Sequence, residues 1–157
     1  MNSKPVNAYG EFMSIKAFWV ICMGGFLATY AHLVFALLAG RMGMARLDYG
    51  EGLSTLLFGE SYEGKPPYVL GLTAVHLNGI IFALLYASVA GPYLPGAPLV
   101  RGLLWGGVLF VFSQCFFNPV VAGHGMFAHK LHPRAWQTSL IAHAIYGAAV
   151  GWLCPIL

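Results

Sequence analysis

The chain has 157 residues, the size of one compact domain, with 59% hydrophobic and only 8% charged residues. A soluble domain carries about a quarter charged residues, and eight Lys/Arg with five Asp/Glu cannot cover a water-exposed surface of this size, so the composition excludes a soluble globular protein and makes lipid the solvent. The net charge of +3 is scattered and forms no basic tract, which excludes the usual footprint of a nucleic-acid-binding protein.

Residues 1–16 are polar or mixed, and the first uncharged run follows at 17–40. A run of about twenty apolar residues is enough to cross a hydrocarbon core of roughly 30 Å as a helix. This run is longer than a signal-peptide core and is followed by no convincing cleavage site, so it reads as a retained helix; it carries Gly24-Gly25 and His32. In segment 41–68, Leu47, Leu53, Leu56, Leu57 and Phe58 are interspersed with Asp48, Glu51, Glu60 and Glu63, the pattern of a short amphipathic helix along the membrane interface. The second run, 69–90, holds Thr73, His76, Asn78 and Gly79. A short turn, 91–101, leads to the third, 102–121, which holds Gly102, Gly106-Gly107, Ser113 and Gln114.

Loop 122–134 contains His124, His129 and His132 before Pro133, and the fourth run occupies 135–157. There Ser139, His143, Gly147 and Gly151 recur every four residues and form one stripe, which should face the other helices. Gly102-xxx-Gly106 and Gly147-xxx-Gly151 have the small-xxx-small form that lets helices approach closely in lipid. Cys22, Cys115 and Cys154 are odd in number and lie in apolar runs, so they read as small hydrophobes and not as a disulfide framework. Trp19, Tyr68, Tyr93, Trp136 and Trp152 sit near the run ends and suit an interfacial belt.

The expected fold is therefore all-α: a single membrane domain built as a four-transmembrane-helix bundle, with spans at 17–40, 69–90, 102–121 and 135–157. Double glycines in spans one and three, and a histidine ahead of a glycine in spans two and four, suit two parallel helical-hairpin repeats, although the histidine-to-glycine spacing differs by one residue. Both termini share a side with the 91–101 turn and with Lys4, Lys16 and Arg101. The opposite side carries Arg41, Arg46, Lys65, Lys130 and Arg134, so five cations against three favour the two longer loops as cytoplasmic.

Counted from the side of the longer loops, His32, His76, Gln114 and His143 all fall seven or eight residues into their spans. At 1.5 Å per residue that is one layer, roughly 10 to 12 Å deep. Polar groups in hydrocarbon must turn toward one another, so the layer, with Asn78 nearby, should point inward and meet. Three uses are open. The groups can form a hydrogen-bond network that locks helix register, with Thr73, Ser113 and Ser139 as further partners. His76 and His143 can ligate a b-type haem. Two or three of the histidines, His32 included, can hold copper or zinc or bind a quinone. A second metal set is present on the long-loop side, where His124, His129 and His132 share a surface with Asp48 and Glu51, although H-x4-H-x2-H matches no established metal motif.

No GxSxG, HExxH, Walker loop or GxGxxG occurs, and no carboxylate lies inside a span to serve as an acid, base or proton relay. Neither an enzyme nor an ion-coupled transporter is favoured.

The order of a glycine-rich first span, an acidic interfacial segment, a histidine-glycine second span, Arg101-Gly-Leu-Leu-Trp-Gly106 opening the third and His143-Ala-Ile-Tyr-Gly147 in the fourth resembles a family of small bacterial four-helix membrane proteins with no assigned activity. The resemblance covers nearly the whole chain. It implies a helical bundle in the bacterial inner membrane and transfers no catalytic residue; the 123–133 histidine loop is not part of its pattern. The functional expectation is a non-catalytic accessory or assembly subunit of a larger membrane complex such as a respiratory or other redox enzyme, with lipids and other integral membrane subunits as partners. The competing expectation is a small membrane haem- or metal-binding redox protein.

Overall fold

The computed structural model describes residues 13–59 and 62–157; Lys4 and Glu60 lie outside the described residues. Helix α1 (Ile15–Leu38) runs into a 3-10 turn at Ala39–Met42. A short α2 (Tyr49–Phe58) follows, then α3 (Tyr68–Leu85), which continues as a π-helical turn at Tyr86–Ala90. Helix α4 (Pro98–Phe112) continues as a longer π-helical segment, Ser113–Val121, and α5 (Ala135–Leu153) closes the chain. Every regular element among the described residues is helical.

Local chemistry sets the boundaries. The Ser14 hydroxyl accepts the Ala17 N–H at 3.1 Å, and the Asp48 carboxylate accepts the Glu51 N–H at 3.1 Å, so each caps a helix start with an oxygen where backbone donors are free. Pro98 occupies the first turn of α4, where its missing N–H costs nothing. Pro119 lies inside the π segment; a proline there can donate no backbone hydrogen bond, so the ordinary α ladder is interrupted. The helices consequently begin earlier than the uncharged runs, at Ile15 and Pro98, and the last ends at Leu153, short of 157.

Among the described residues three helices are long and apolar enough to cross a membrane: Ile15–Met42, Tyr68–Tyr93 and Pro98–Val121. Helix α5 is as long as an ordinary span but more polar, because the face it buries carries Thr138, Ser139 and Tyr146 with the small residues Ala142, Gly147 and Gly151. Large apolar side chains such as Trp19, Val69, Leu77, Val111 and Trp152 face outward.

Packing runs in the order α3, α1, α5, α4, with α2 covering α3. Glycines make each of these seams. A methyl group on Gly25 of α1 would press on Ala83 and Ile80 of α3, and one on Gly79 of α3 would overlap the Thr29 side chain of α1. Between α4 and α5 the backbones themselves touch: a Cβ on Gly102, Gly106, Gly147 or Gly151 would strike main-chain atoms of the other helix. Gly107, by contrast, faces open space.

Helix α2 departs from the expected amphipathic pattern. Its small residues, Gly50 and Ser54, are the buried ones and pack on Gly71 of α3, while Leu56 and Leu57 point outward. Close approach to another helix backbone selects small side chains for the inner face, so the leucines do not define it. The loop ahead of α2 is pinned by Leu47 N–H to Ala36 O at 3.1 Å and by the Thr138 hydroxyl to Ala45 O at 2.7 Å.

Candidate functional site

A polar cluster forms where α1, α2, α5 and the π segment of α4 meet. Helix α5 supplies Ser139 and His143, one turn apart on its inner stripe. The His143 imidazole Nδ1 lies 2.8 Å from the Ser139 carbonyl oxygen and 3.3 Å from the Ser139 hydroxyl. A carbonyl only accepts, so Nδ1 carries the proton and Nε2 keeps the free lone pair. The Gln114 amide donates to the Ser139 hydroxyl at 2.8 Å and fixes that oxygen from the α4 side. Gln114 is 1% exposed, and its Oε1 has no protein donor among the described residues.

From α1, His32 packs its ring against His143 with centroids 5.1 Å apart in a T-shaped arrangement. Tyr49, at the start of α2, lies 4.9 Å from the His32 ring, and Tyr146 of α5 lies 6.4 Å from it. The Tyr49 hydroxyl is buried without a partner, and burial pushes its phenol up to about 12, so it is a neutral donor at any physiological pH. The Tyr146 hydroxyl donates across the bundle to Gly79 O of α3 at 2.6 Å. That bond ties together the two helices on either side of α1.

The cluster brings together His32, Gln114 and His143, the last two through Ser139, and His76 and Asn78 do not join them. His76 donates through Nδ1 to Leu72 O of its own helix at 2.9 Å and stacks on Phe26 of α1 with ring centroids 4.6 Å apart. Its Nε2 is buried and unpartnered. His76 therefore packs on α1 and stands apart from the contact between His32 and His143. Asn78 faces outward.

Around the long loops, each proposed ligand has a local role instead of a shared one. Asp48 caps α2 and pairs with Arg46 at 3.3 Å, while Glu51 is exposed. His132 Nδ1 accepts the Arg134 N–H at 3.0 Å, and His129 Nδ1 donates to Met126 O at 3.0 Å. His124 is partly buried, and its imidazole is held below its ordinary range by burial and then by the Lys130 ammonium. Among the described residues no three His, Cys, Asp or Glu side chains converge in a geometry that could hold a metal ion, so this set does not assemble.

Sequence reasoning missed Tyr49, Tyr146, Thr29 and Thr138, all in the core network. Tyr146 had a legible signal: a phenol in the middle of an uncharged run, one turn past His143, must find a partner. Tyr49 had none, since it precedes a short helix whose fold-back is a tertiary event.

Chemically the cluster is a short hydrogen-bond chain, Gln114 to Ser139 to His143, with the His32 and Tyr49 rings packed beside it. Ser139 and His143 do not make a nucleophile with its base, since Nδ1 already serves a carbonyl and the Ser139 side chain is 2% exposed. No family model matches the chain, and no curated protein or solved structure is significantly similar to it.

Proposed function

We propose that the chain is a four-span integral membrane protein of the bacterial inner membrane, acting as a non-catalytic accessory or assembly subunit of a larger membrane complex such as a respiratory or other redox enzyme. Helix α5 is the fourth span. Its 19 residues reach about 28 Å at 1.5 Å per residue, and its polar groups are turned inward, away from lipid. The pairing of α1 with α3 through Gly25 and Gly79, and of α4 with α5 through Gly106 and Gly147, supports two hairpins built on one plan. The charge count favours cytoplasmic placement of both longer loops.

Asn78 is the observation that carries the subunit reading. An amide on a lipid-facing surface is costly unless another group in the membrane satisfies it. It sits on α3, of whose most apolar stretch only 17% is buried, against 39% for α1 and 22% for α4. That exposed face, with Leu70, Leu77 and Ile81 beside the amide, suits the helix of another integral membrane subunit. Extraction in mild detergent should recover a stoichiometric membrane partner, and Asn78→Leu should reduce its recovery several-fold while the chain itself stays folded. A monomeric protein with no co-purifying membrane partner would overturn the reading.

The haem or metal alternative rests on one observation, the contact of His32 with His143 and the free Nε2 of the latter. In that reading His32 replaces His76 as the second ligand. A Soret band, or stoichiometric copper or zinc, that is lost in His143→Ala would establish it. A featureless, metal-free sample would remove it.

A further inference from the structure

The end of the bundle away from the polar cluster holds a second set of unsatisfied groups. Tyr86 opens the π-helical turn after α3 and is fully buried, and among the described residues its hydroxyl has no partner. Arg101, in the first turns of α4, has a buried Nε–H that is likewise unpartnered. One turn along α4, the Trp105 indole N–H is in the same condition, with its ring centroid 6.4 Å from that of Tyr86. Burying a hydrogen-bond donor without an acceptor costs on the order of 1–3 kcal/mol. Three such donors around one spot therefore point to an absent acceptor. Among the described residues the ion pair is Arg46 with Asp48, and no carboxylate offsets the Arg101 charge.

Two of these groups, Tyr86 and Arg101, border a recess. Tyr86 and Arg101 line an open recess of about 530 Å³ whose other walls include Val20, Trp152 and Cys154. The size is that of a small-molecule site. The chain end forms one wall: Leu157 N–H bonds Ala87 O at 2.9 Å, and Ile156 packs on Gly91. Trp152 is 82% exposed and Val20 41%, so the recess opens on the apolar outer surface of the bundle. The donors sit at its inner side and the mouth is greasy, which is the polarity of an amphiphile with an oxyanion head and a hydrocarbon tail.

We propose that this recess binds the phosphate of an anionic phospholipid, with Arg101 as the charge partner, Tyr86 as a neutral donor, and an acyl chain running out past Trp152 and Val20. The inference rests on the membrane-spanning reading but not on the subunit reading. Basic pockets between membrane helices recognise acidic head groups in this way, and a guanidinium is suited to phosphate oxygens. The π-helical turn belongs to the site, since it carries Tyr86; such turns recur at functional positions.

Native mass spectrometry of the full chain, extracted and delipidated in detergent, tests the proposal with phosphatidylglycerol, phosphatidylcholine and inorganic phosphate as separate probes. One phosphatidylglycerol should bind at least ten times more tightly than phosphatidylcholine. Arg101→Gln should remove that preference. Tyr86→Phe, which keeps the ring and loses the donor, should weaken binding several-fold, and it reports on the site even if the arginine variant fails to fold. Equal retention of both lipids, or an unchanged preference in Tyr86→Phe, would overturn the proposal. Saturation by inorganic phosphate that blocks the lipid at micromolar concentration would overturn the amphiphile and assign the recess to free anions. Recovery of the expressed chain in the soluble fraction would instead overturn the membrane reading, so the two failures are distinct.

Discussion

Single side chains in this protein matter through the bonds they close inside an apolar bundle. Tyr146 bridges α5 to Gly79 of α3 at 2.6 Å, so Tyr146→Phe removes one interhelical hydrogen bond and keeps the ring. Such bonds in membrane bundles contribute roughly 0.6 kcal/mol and seldom exceed 2, so the variant should unfold in detergent and denaturant titration with a loss in that range. Ser139→Ala should cost more, about 1–3 kcal/mol, because it leaves the buried Gln114 amide with only its long 3.4 Å bond to the Ser113 hydroxyl. A loss equal to that of Tyr146→Phe would mean that Gln114 finds another acceptor. His124 gives a pH signature. Burial and Lys130 hold its folded imidazole below the unfolded value of about 6.5, so the unfolded loop binds the proton more readily. The contribution is complete above that value and is lost as pH falls toward the lower folded one. Amide exchange over residues 122–134, corrected for intrinsic rate, should accelerate below about pH 6 in the wild type, taking the same reference value. His124→Gln should flatten that dependence.

At the scale of the helices, the α4–α5 seam is the stiffest feature. Gly102, Gly106, Gly147 and Gly151 bring two backbones into contact, and any Cβ there meets main chain, which cannot rotate away. Gly147→Ala should therefore destabilise by about 1–3 kcal/mol, the cost of overpacking a dense interior, whereas Gly107→Ala should be nearly neutral or slightly stabilising. The comparison isolates packing from helix propensity, since both are glycines inside long helices. The π segment after Phe112 acts at the same scale. It places Gln114 and Asn118 on the inner face while Pro119 occupies the ladder, so a regular α-helix through this stretch would rotate the amide off Ser139. The double glycines and the four-residue stripe of α5 were readable because helix geometry turns spacing into a face. Which helix that face would meet was not, because Gly25 and Gly106 carry the same pattern and pack on different partners.

For the whole molecule, the order α3, α1, α5, α4 explains why α5 is the most polar of the long helices. Packed between α1 and α4, it can carry groups that an outer helix would expose to hydrocarbon. The outer α3 carries Asn78 on its open face, which is where a neighbouring subunit belongs in the proposed assembly. Cysteine labelling from either side of the membrane, with single cysteines in the 41–68 and 122–134 loops, should report both on one side and residue 95 on the other. Opposite labelling of the two loops would remove α5 as a span.

Composition and spacing alone determined that the chain is helical and apolar and that glycine marks the close contacts. These are one-dimensional properties: rise per residue and residue type specify them without reference to any neighbour. Tertiary structure decided the rest. His76 occupies the same place in its uncharged run as His143 yet faces Phe26, and Tyr49 reaches His32 only because α2 folds back over the bundle. The direction a side chain takes around its helix axis acquires meaning only when the order of the helices is known, and that order comes from how four glycine-bearing surfaces fit together.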